Sequence, residues 1–451
     1  MRKLLLINPV NPHRIGLTVN VSSRFPPLGL GIVAALTPDT WEIEIIDENF
    51  EPFCYKEADL VGLTAFTSAV TRAYKIAGLY REKGIPTVLG GIHASTQPEE
   101  ALQYVDCVVV GEAESVWRRV ISDCEAGTMK RVYTGAQQDL KEMPQPRRDL
   151  FHPGYLFGSI QTARGCPMDC EFCSVTSFNG RRYRQRPVED VLDELETIPQ
   201  DKVFFVDDNI IGYSKEAAER AITLFKGIIN RGIKKDWFCQ ASMNVGSNQD
   251  VLTYAAQSGC RIVFLGVEAE NIDALHEVNK NVNVKLHDTY EETFYRINNN
   301  GIAVLGSFIY GMDSDTPEAL DRRTDYILKS GVDVMQVTYL TPLPGTRLFE
   351  RLRTEGRLLY TDFPADWDHY DMTEVTHQPR LMSPPELAET MSTSVNRLYS
   401  RRSLMRKFFK TVRATKSFTT AMWALTSNKN YRAVALGNQM TTTCKGSDPH
   451  E

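Results

Sequence analysis

Two hydrophobic rhythms alternate along most of this chain. Short apolar runs, Lys3–Asn8, Trp41–Asp47, Leu60–Thr64, Thr87–Gly90 and Cys107–Val110, are separated by helical patterns near Leu28–Leu36 and through Ala69–Lys83. Apolar strands without a polar face, joined by helices, predict a parallel sheet covered on both sides. Residues 1–135 therefore read as a doubly wound, Rossmann-like domain. The rhythm returns after residue 158. Val188–Ile198 carries an apolar stripe of Val191, Leu192, Leu195 and Ile198, followed by runs at Val203–Val206, Trp237–Asn244, Ile262–Glu268, Ala303–Gly311 and Val334–Leu340. With the run Gly158–Arg164, read as one strand, this makes about six strand–helix units and predicts a partial β/α barrel over residues 158–350. Residues 136–157 are polar with two prolines and read as an extended linker. Residues 351–451 read as a mostly helical region: an irregular stretch with Trp367, His369, Tyr370 and His377, placed to lid a substrate, then helix from Ser383 as cap to about Ala435. The last dozen residues read as disordered.

A chain of 451 residues, 42% hydrophobic and 24% charged, has the composition of an ordinary multidomain globular protein. Its nine cysteines are mostly scattered, as in a reduced cytoplasmic protein rather than a disulfide scaffold. The apolar start Leu4-Leu5-Leu6-Ile7 mimics a signal peptide, but Asn8-Pro9 cuts it short, and no run approaches the roughly 20 residues of a spanning helix. Charge changes the picture at the end of the chain. Between Glu389 and Asp448 there are eleven basic residues and no acidic one, so the rest of the chain carries more than the whole net charge of −6. Within that stretch Leu398, Leu404, Met405, Phe408, Phe409, Val412, Phe418, Met422 and Trp423 are apolar. Such a segment either caps the barrel or lies on an anionic membrane surface.

The chemistry concentrates in one loop, Gly165-Cys166-Pro167-Met168-Asp169-Cys170-Glu171-Phe172-Cys173. Three thiolates at Cys-x3-Cys-x2-Cys spacing can hold three corners of an iron–sulfur cube and leave one iron open. A structural zinc site needs four ligands, and no second cysteine pair accompanies the loop. Cys239 and Cys260 read as buried fillers. In the first domain the informative residues are those after the strands, where doubly wound sheets bind ligands: Pro27 and Leu28, Thr64 and Ser68, Gly90, Gly91 and His93, and Gly111 and Glu112.

The cysteine loop resembles the signature of the radical S-adenosylmethionine (SAM) superfamily. Together with the upstream glycine loops, residues 1–350 are similar to B12-binding-domain-containing radical SAM proteins, the cobalamin-dependent methyltransferase-like group. The resemblance implies three cofactors: a [4Fe-4S] cluster on Cys166, Cys170 and Cys173; SAM contacted by Phe172, Asp207, Asp208, Ser242, Asn244 and Glu268; and cobalamin against Pro27, Leu28, Thr64, Ser68, Gly90, Gly91, His93, Gly111 and Glu112. His13, in Asn11-Pro12-His13-Arg14-Ile15-Gly16, is a candidate cobalt ligand, although Asn11 stands where an orienting carboxylate would be needed. The implied activity is C-methylation of an unactivated carbon through a 5'-deoxyadenosyl radical and methylcobalamin. An electron donor such as flavodoxin or ferredoxin and a small or lipid-like substrate follow, with no nucleic acid expected. The same plan serves oxidative cyclases and ring-contracting enzymes, and a non-catalytic cobalamin or iron–sulfur sensor would share it. A tRNA methylthiotransferase would place three further cluster cysteines in the first domain, which Cys54, Cys107 and Cys124 do not match.

Overall fold

The computed structural model describes residues 1–11 and 21–443, and in it two six-stranded parallel sheets follow one another. His13 and the residues from Cys444 onward lie outside the described residues. The first sheet contains β1 (Arg2–Asn8), β2 (Trp41–Asp47), β3 (Leu60–Thr64), β4 (Thr87–Gly90), β5 (Cys107–Gly111) and β6 (Val132–Gly135), in the order β2-β1-β3-β4-β5-β6. Its helices are α1 (Leu28–Leu36), α2 (Val70–Arg81), α3 (Ile92–Thr96), α4 (Pro98–Tyr104) and α5 (Trp117–Glu125). Side chains alternate across a strand, so Leu5 and Ile7 pack under α2 and α4 while Leu4 and Leu6 pack under α1 and α5. The winding reverses between β1 and β3, which opens a crevice at the carboxyl ends of these strands.

The second sheet contains β7 (Phe157–Ile160), then a short antiparallel ribbon of β8 (Ala163–Arg164) and β9 (Arg184–Gln185) outside the sheet, then β10 (Lys202–Phe205), β11 (Asp236–Ala241), β12 (Cys260–Glu268), β13 (Ala303–Tyr310) and β14 (Val334–Tyr339). Around it run α6 (Val175–Asn179), α7 (Val188–Thr197), α8 (Lys215–Asn230), α9 (Gln249–Gln257), α10 (Ile272–Glu277), α11 (Asn281–Leu286), α12 (Tyr290–Asn299) and α13 (Pro317–Lys329). The C-terminal helices are α14 (Arg347–Thr354), α15 (Pro384–Leu398), α16 (Arg401–Thr415) and α17 (Phe418–Thr443). Val203, Phe205, Trp237 and Leu265 face the helices, whereas Ile262, Ala303, Leu305 and Val334 face inward with Phe238 and Phe264. The segment Gly158–Arg164, expected as one strand, breaks at Ile160. The carboxylate of Asp207 draws the amide N–H groups of Thr162 and Ala163 to itself at 2.6 and 3.0 Å, away from the ladder.

Of the C-terminal helices, α16 and α17 close the amino-terminal ends of the barrel strands, whereas α14 lies against the cysteine loop, where the Leu348 N–H donates to the Glu171 carbonyl at 3.1 Å. Ser383 and Glu386 form a capping box that starts α15. Lys407 on α16 is buried and donates to the carbonyls of Ile327, Val332 and Ser330, and Asn428 on α17 bonds the backbone of Asp333 and Met335. The stretch with Trp367, expected as a lid, serves instead as a clamp. Trp367 and Tyr370 are buried in the core of the first domain, and the Trp367 indole N–H donates to Glu100 at 2.9 Å. His377 is buried with Nε2 3.0 Å from the Gly311 carbonyl, and burial lowers its pKa to about 4.

Candidate active site

The cysteine loop starts from a glycine that no other residue could replace without strain. Gly165 has φ of 91°, and a Cβ there would lie 2.2 Å from the Arg182 carbonyl oxygen. Beyond it the loop is anchored on several sides. The Cys166 N–H donates to the Gly180 carbonyl at 3.1 Å and the Glu171 N–H to the Val278 carbonyl at 3.0 Å. Asp169 is held by Asn279, Arg181 and Arg347, and Glu171 by Arg351 at 2.7 Å. Cys166, Cys170 and Cys173 are each part-buried. Burial raises the Cys170 thiol and pushes that of Cys173 up to about 12, so ionisation there calls for a strong positive charge. Among the described residues no three His, Cys, Asp or Glu side chains converge on a single-ion position. Three thiols on one loop without a fourth closing ligand fit an iron–sulfur cluster with an open iron better than a closed zinc site.

Two polar arms lead from this loop to the strand ends. On one side Cys166 Sγ lies 3.4 Å from the Tyr213 hydroxyl, which lies 2.7 Å from Ser242 Oγ. Asn244 donates through Nδ2 to the Gly212 carbonyl at 3.1 Å, leaving its Oδ1 buried without a partner. An unmet buried acceptor of this kind fits a ligand hydroxyl. On the other side β12 bulges, Glu268 adopts φ of 63°, and its carboxylate accepts from Lys280 at 2.6 Å. The Lys280 ammonium lies 5.8 Å from the centre of the Phe172 ring. Burial works against its charge, but Glu268 and the nearby thiols outweigh burial and raise its pKa. Asp208 accepts from Asn179 at 3.1 Å, and burial raises its pKa to about 6. Asp207, expected beside SAM, is fully buried, and its two oxygens are taken up by the N–H groups of Thr162 and Ala163 and by the Thr162 hydroxyl at 2.5 Å. It shapes the approach to the cysteine loop rather than facing a ligand.

The strand ends of the first domain are finished mainly by backbone. Gly91 has φ of 92°, and a Cβ there would lie 2.7 Å from Thr64 Oγ1; Gly111 has φ of 79°, with the Gly135 carbonyl oxygen 2.7 Å from its would-be Cβ. Ser95 links the two loops, bonding the Gly91 carbonyl at 2.8 Å and the Gly111 N–H at 3.0 Å. Pro27 and Leu28 open α1, and the Ser68 carbonyl accepts from Asn11. Phe66, between Thr64 and Ser68, is 76% exposed. An edge of glycine backbone with an exposed aromatic ring fits a large, flat cofactor such as cobalamin.

Two residues expected at that cofactor are enclosed by protein instead. His93 is fully buried, 3.3 Å from both Thr67 Oγ1 and Glu100 Oε1 and edge-on to Trp367. Glu112 is buried between Arg184 at 2.5 Å and Arg164 at 3.3 Å, and it accepts from the Gln138 N–H at 2.8 Å. Burial alone would raise the Glu112 carboxyl, but the bonds from Arg184 hold it below the usual range. Glu114 adds a second contact to Arg164 at 2.6 Å. The loop after β5 is thereby bolted to β8 and β9, which flank the cysteine loop. Tyr213, Lys280, Phe66, Arg164 and Arg184 stand out through these contacts alone, since no periodicity or motif marked them.

Three family models match the chain: B12 binding domain over residues 14–121, Radical SAM superfamily over 160–327, and Domain of unknown function (DUF4070) over 346–441. Bacteriochlorophyllide d C-12(1)-methyltransferase of Chlorobaculum tepidum is 28% identical over 428 residues, covering 90% of this chain and 89% of that one. Hopanoid C-2 methylase of Rhodopseudomonas palustris is 29% identical over 363 residues, covering 78% and 68%. The solved structure of the radical S-adenosylmethionine methyltransferase TsrM from Kitasatospora setae, with cobalamin and [4Fe-4S] cluster bound, matches with a TM-score of 0.68 at 17% identity, covering 97% of this chain and all of that one. At that identity the likeness concerns the fold.

Proposed function

Since the chain is a radical SAM enzyme with an N-terminal B12-binding domain, whose cofactors are a [4Fe-4S] cluster, SAM and cobalamin, we propose that it transfers a methyl group to an unactivated carbon of a largely apolar substrate. The observation that carries this reading is the bolt between the domains, Glu112 and Glu114 on Arg164 and Arg184. It fixes the glycine-lined edge of the first domain against the ribbon that flanks Cys166. The cluster with SAM supplies hydrogen abstraction, and the cobalamin supplies the methyl group.

The chain's own residues bind and orient. Cys166, Cys170 and Cys173 hold the cluster, and the Tyr213 hydroxyl caps the sulfur of Cys166. Asn244 and Ser242 receive the SAM ribose, and Glu268, held by Lys280, receives its amino group. Thr64, Gly91, Gly111 and Phe66 form the cobalamin seat. The lower inner wall of the barrel, Phe238, Phe264 and Leu305, is covered by Trp423, Ala424 and Tyr431 of α17, so the apolar substrate meets the barrel above it, toward the carboxyl ends of the strands. On the inner wall the buried Gln336 keeps an Oε1 without a partner, an acceptor for one substrate N–H or O–H. Two relatives named for methylating a bacteriochlorophyllide and a hopanoid support this class. The setting is the cytoplasm, with the electron supplied by a flavodoxin or ferredoxin.

The test is anaerobic. Protein reconstituted with iron, sulfide and hydroxocobalamin is given reductant and SAM bearing a deuterated methyl group, together with an apolar extract of the source cells. Wild type is expected to release 5'-deoxyadenosine and to place the deuterated methyl on one extract component. The Cys166→Ala/Cys170→Ala/Cys173→Ala variant is expected to do neither. Release of 5'-deoxyadenosine with a changed but unmethylated product would replace methyl transfer by cyclisation or rearrangement.

A further inference from the structure

The hairpin of α16 and α17 buries one face against the barrel and leaves an unusual one outside. Leu404, Lys407, Thr411 and Thr415 point inward from α16, as do Ala421, Ala424 and Asn428 from α17. The outward stripe of α16 is Arg402, Met405, Arg406, Phe409 and Arg413, spaced by about one helical turn, and the exposed Lys416 caps the helix directly after it. Met405 is 45% exposed and Phe409 63%, and beside them on α17 Phe418 is 66% and Met422 40% exposed. Phe408, packed 6.0 Å from Phe418 and 5.4 Å from Phe409, joins the two helices' apolar residues into one patch.

The charges around this patch are one-sided. No acidic residue occurs between Glu389 and Asp448. The acidic groups that reach α16 from the barrel, Asp333 and Glu291, act on its inward-facing Lys407 and Lys410. On the neighbouring α15, Arg397 is paired with Asp321 and Asp325. Among the described residues Arg402, Arg406, Arg413 and Lys416 make no such pair. A monomer does not ordinarily leave four large apolar side chains clustered in water, and the row of unpaired cations along α16 beside them selects an anionic counterpart. Two copies of the chain meeting through this patch would set cation against cation.

We propose that the α16–α17 hairpin seats the enzyme on an anionic membrane surface. Phe409, Phe418, Met405 and Met422 enter the boundary between headgroups and acyl chains, and Arg402, Arg406, Arg413 and Lys416 meet the phosphates. The contact is interfacial, because no helix among the described residues is long and apolar enough to cross a membrane. This assigns a task to a segment of the region matched by the domain of unknown function. It is independent of the reaction proposed above, since vesicle binding is read without turnover.

The test is sedimentation of the full-length protein with vesicles of phosphatidylcholine, with and without phosphatidylglycerol, at low and high ionic strength. Wild type is expected to bind the phosphatidylglycerol vesicles and to release them in salt. Arg402→Gln, Arg406→Gln and Arg413→Gln are each expected to lower affinity roughly fivefold. Phe409→Ser/Phe418→Ser is expected to lower it at least as far, with circular dichroism and melting midpoint unchanged because both side chains are exposed. No binding by wild type overturns the proposal. So does full binding by the Phe409→Ser/Phe418→Ser variant, which would mark a general polyanion site such as one for RNA. A concentration-dependent dimer that this variant abolishes would assign the patch to a second copy and also overturn it.

Discussion

The two sheets have the same plan, six parallel strands wrapped in helices, yet their carboxyl ends are finished with opposite materials. The first domain presents glycine backbone, small hydroxyls and one exposed ring, with Gly91 and Gly111 in conformations that side chains resist. The barrel presents buried charges: Glu268 on Lys280, Asp207 on the turn before Arg164, and Asp313 within an arginine cluster. The difference follows the ligands. In the function proposed above, a broad cofactor would be received by shape along a backbone edge, and SAM by Glu268, whose position Lys280 holds.

The contrast implies different sensitivities, and the largest belongs to the barrel. Lys280→Met leaves the Glu268 carboxylate buried without its cation, which is expected to cost about 3–5 kcal/mol. Anaerobic denaturant unfolding of the reconstituted enzyme reads this; a loss below about 1 kcal/mol would show that Glu268 is solvated and that the barrel end does not depend on held charge.

Next comes acid. Burial acts to raise the Asp313 carboxyl, but Arg357 and Arg351 overcome it and hold the group at about 2, against an ordinary 3.8. A depressed folded pKa contributes stability that is complete above the unfolded value and is lost as pH falls from about 4 toward 2, where the unfolded chain binds the extra proton. The expected contribution is about 2 kcal/mol. Melting midpoints of wild type and Asp313→Asn should therefore differ most at neutral pH and converge near pH 2. Curves that stay parallel through this range would remove Asp313 from the acid response.

The smallest effect sharpens the other half of the contrast. Gly91→Ala places a Cβ at positive φ and against Thr64 Oγ1, and is expected to cost about 1–2 kcal/mol and to weaken cobalamin binding, followed by absorbance of the bound cofactor. Gly90→Ala meets only Val109 at 4.0 Å and should be nearly silent. Equal behaviour of the two variants would mean that the glycine edge is incidental.

The strands were legible because their apolar runs have nothing else to do: β2, β3 and β4 fall on the residues their hydrophobicity marks out. β6 was not, since Val132–Gly135 is short and half polar. The break after Ile160 was hidden because it is imposed by Asp207, a residue distant in sequence. At the site, the cysteine spacing is local and therefore readable. The pairing of Glu112 with Arg184, or of Tyr213 with Cys166, joins residues far apart, and an isolated Glu or Tyr looks the same whether it faces a ligand or a neighbouring domain. Phe66 was passed over for the opposite reason, because an apolar residue in a loop gives no sign of whether the fold will cover it.

The clamp at Trp367 bears on how the protein is made. The first domain leaves the ribosome with Val70, Ala73 and Tyr74 in place but without the indole and the Tyr370 ring that complete their core, and these arrive only after the whole barrel has been synthesised. The core of the first domain therefore stays incomplete until the segment around Trp367 has been synthesised, and a chain that stops short of it lacks the indole that bonds Glu100. The aromatic clamp thus comes late, after the Glu112, Arg164 and Arg184 that join the same two halves have been synthesised.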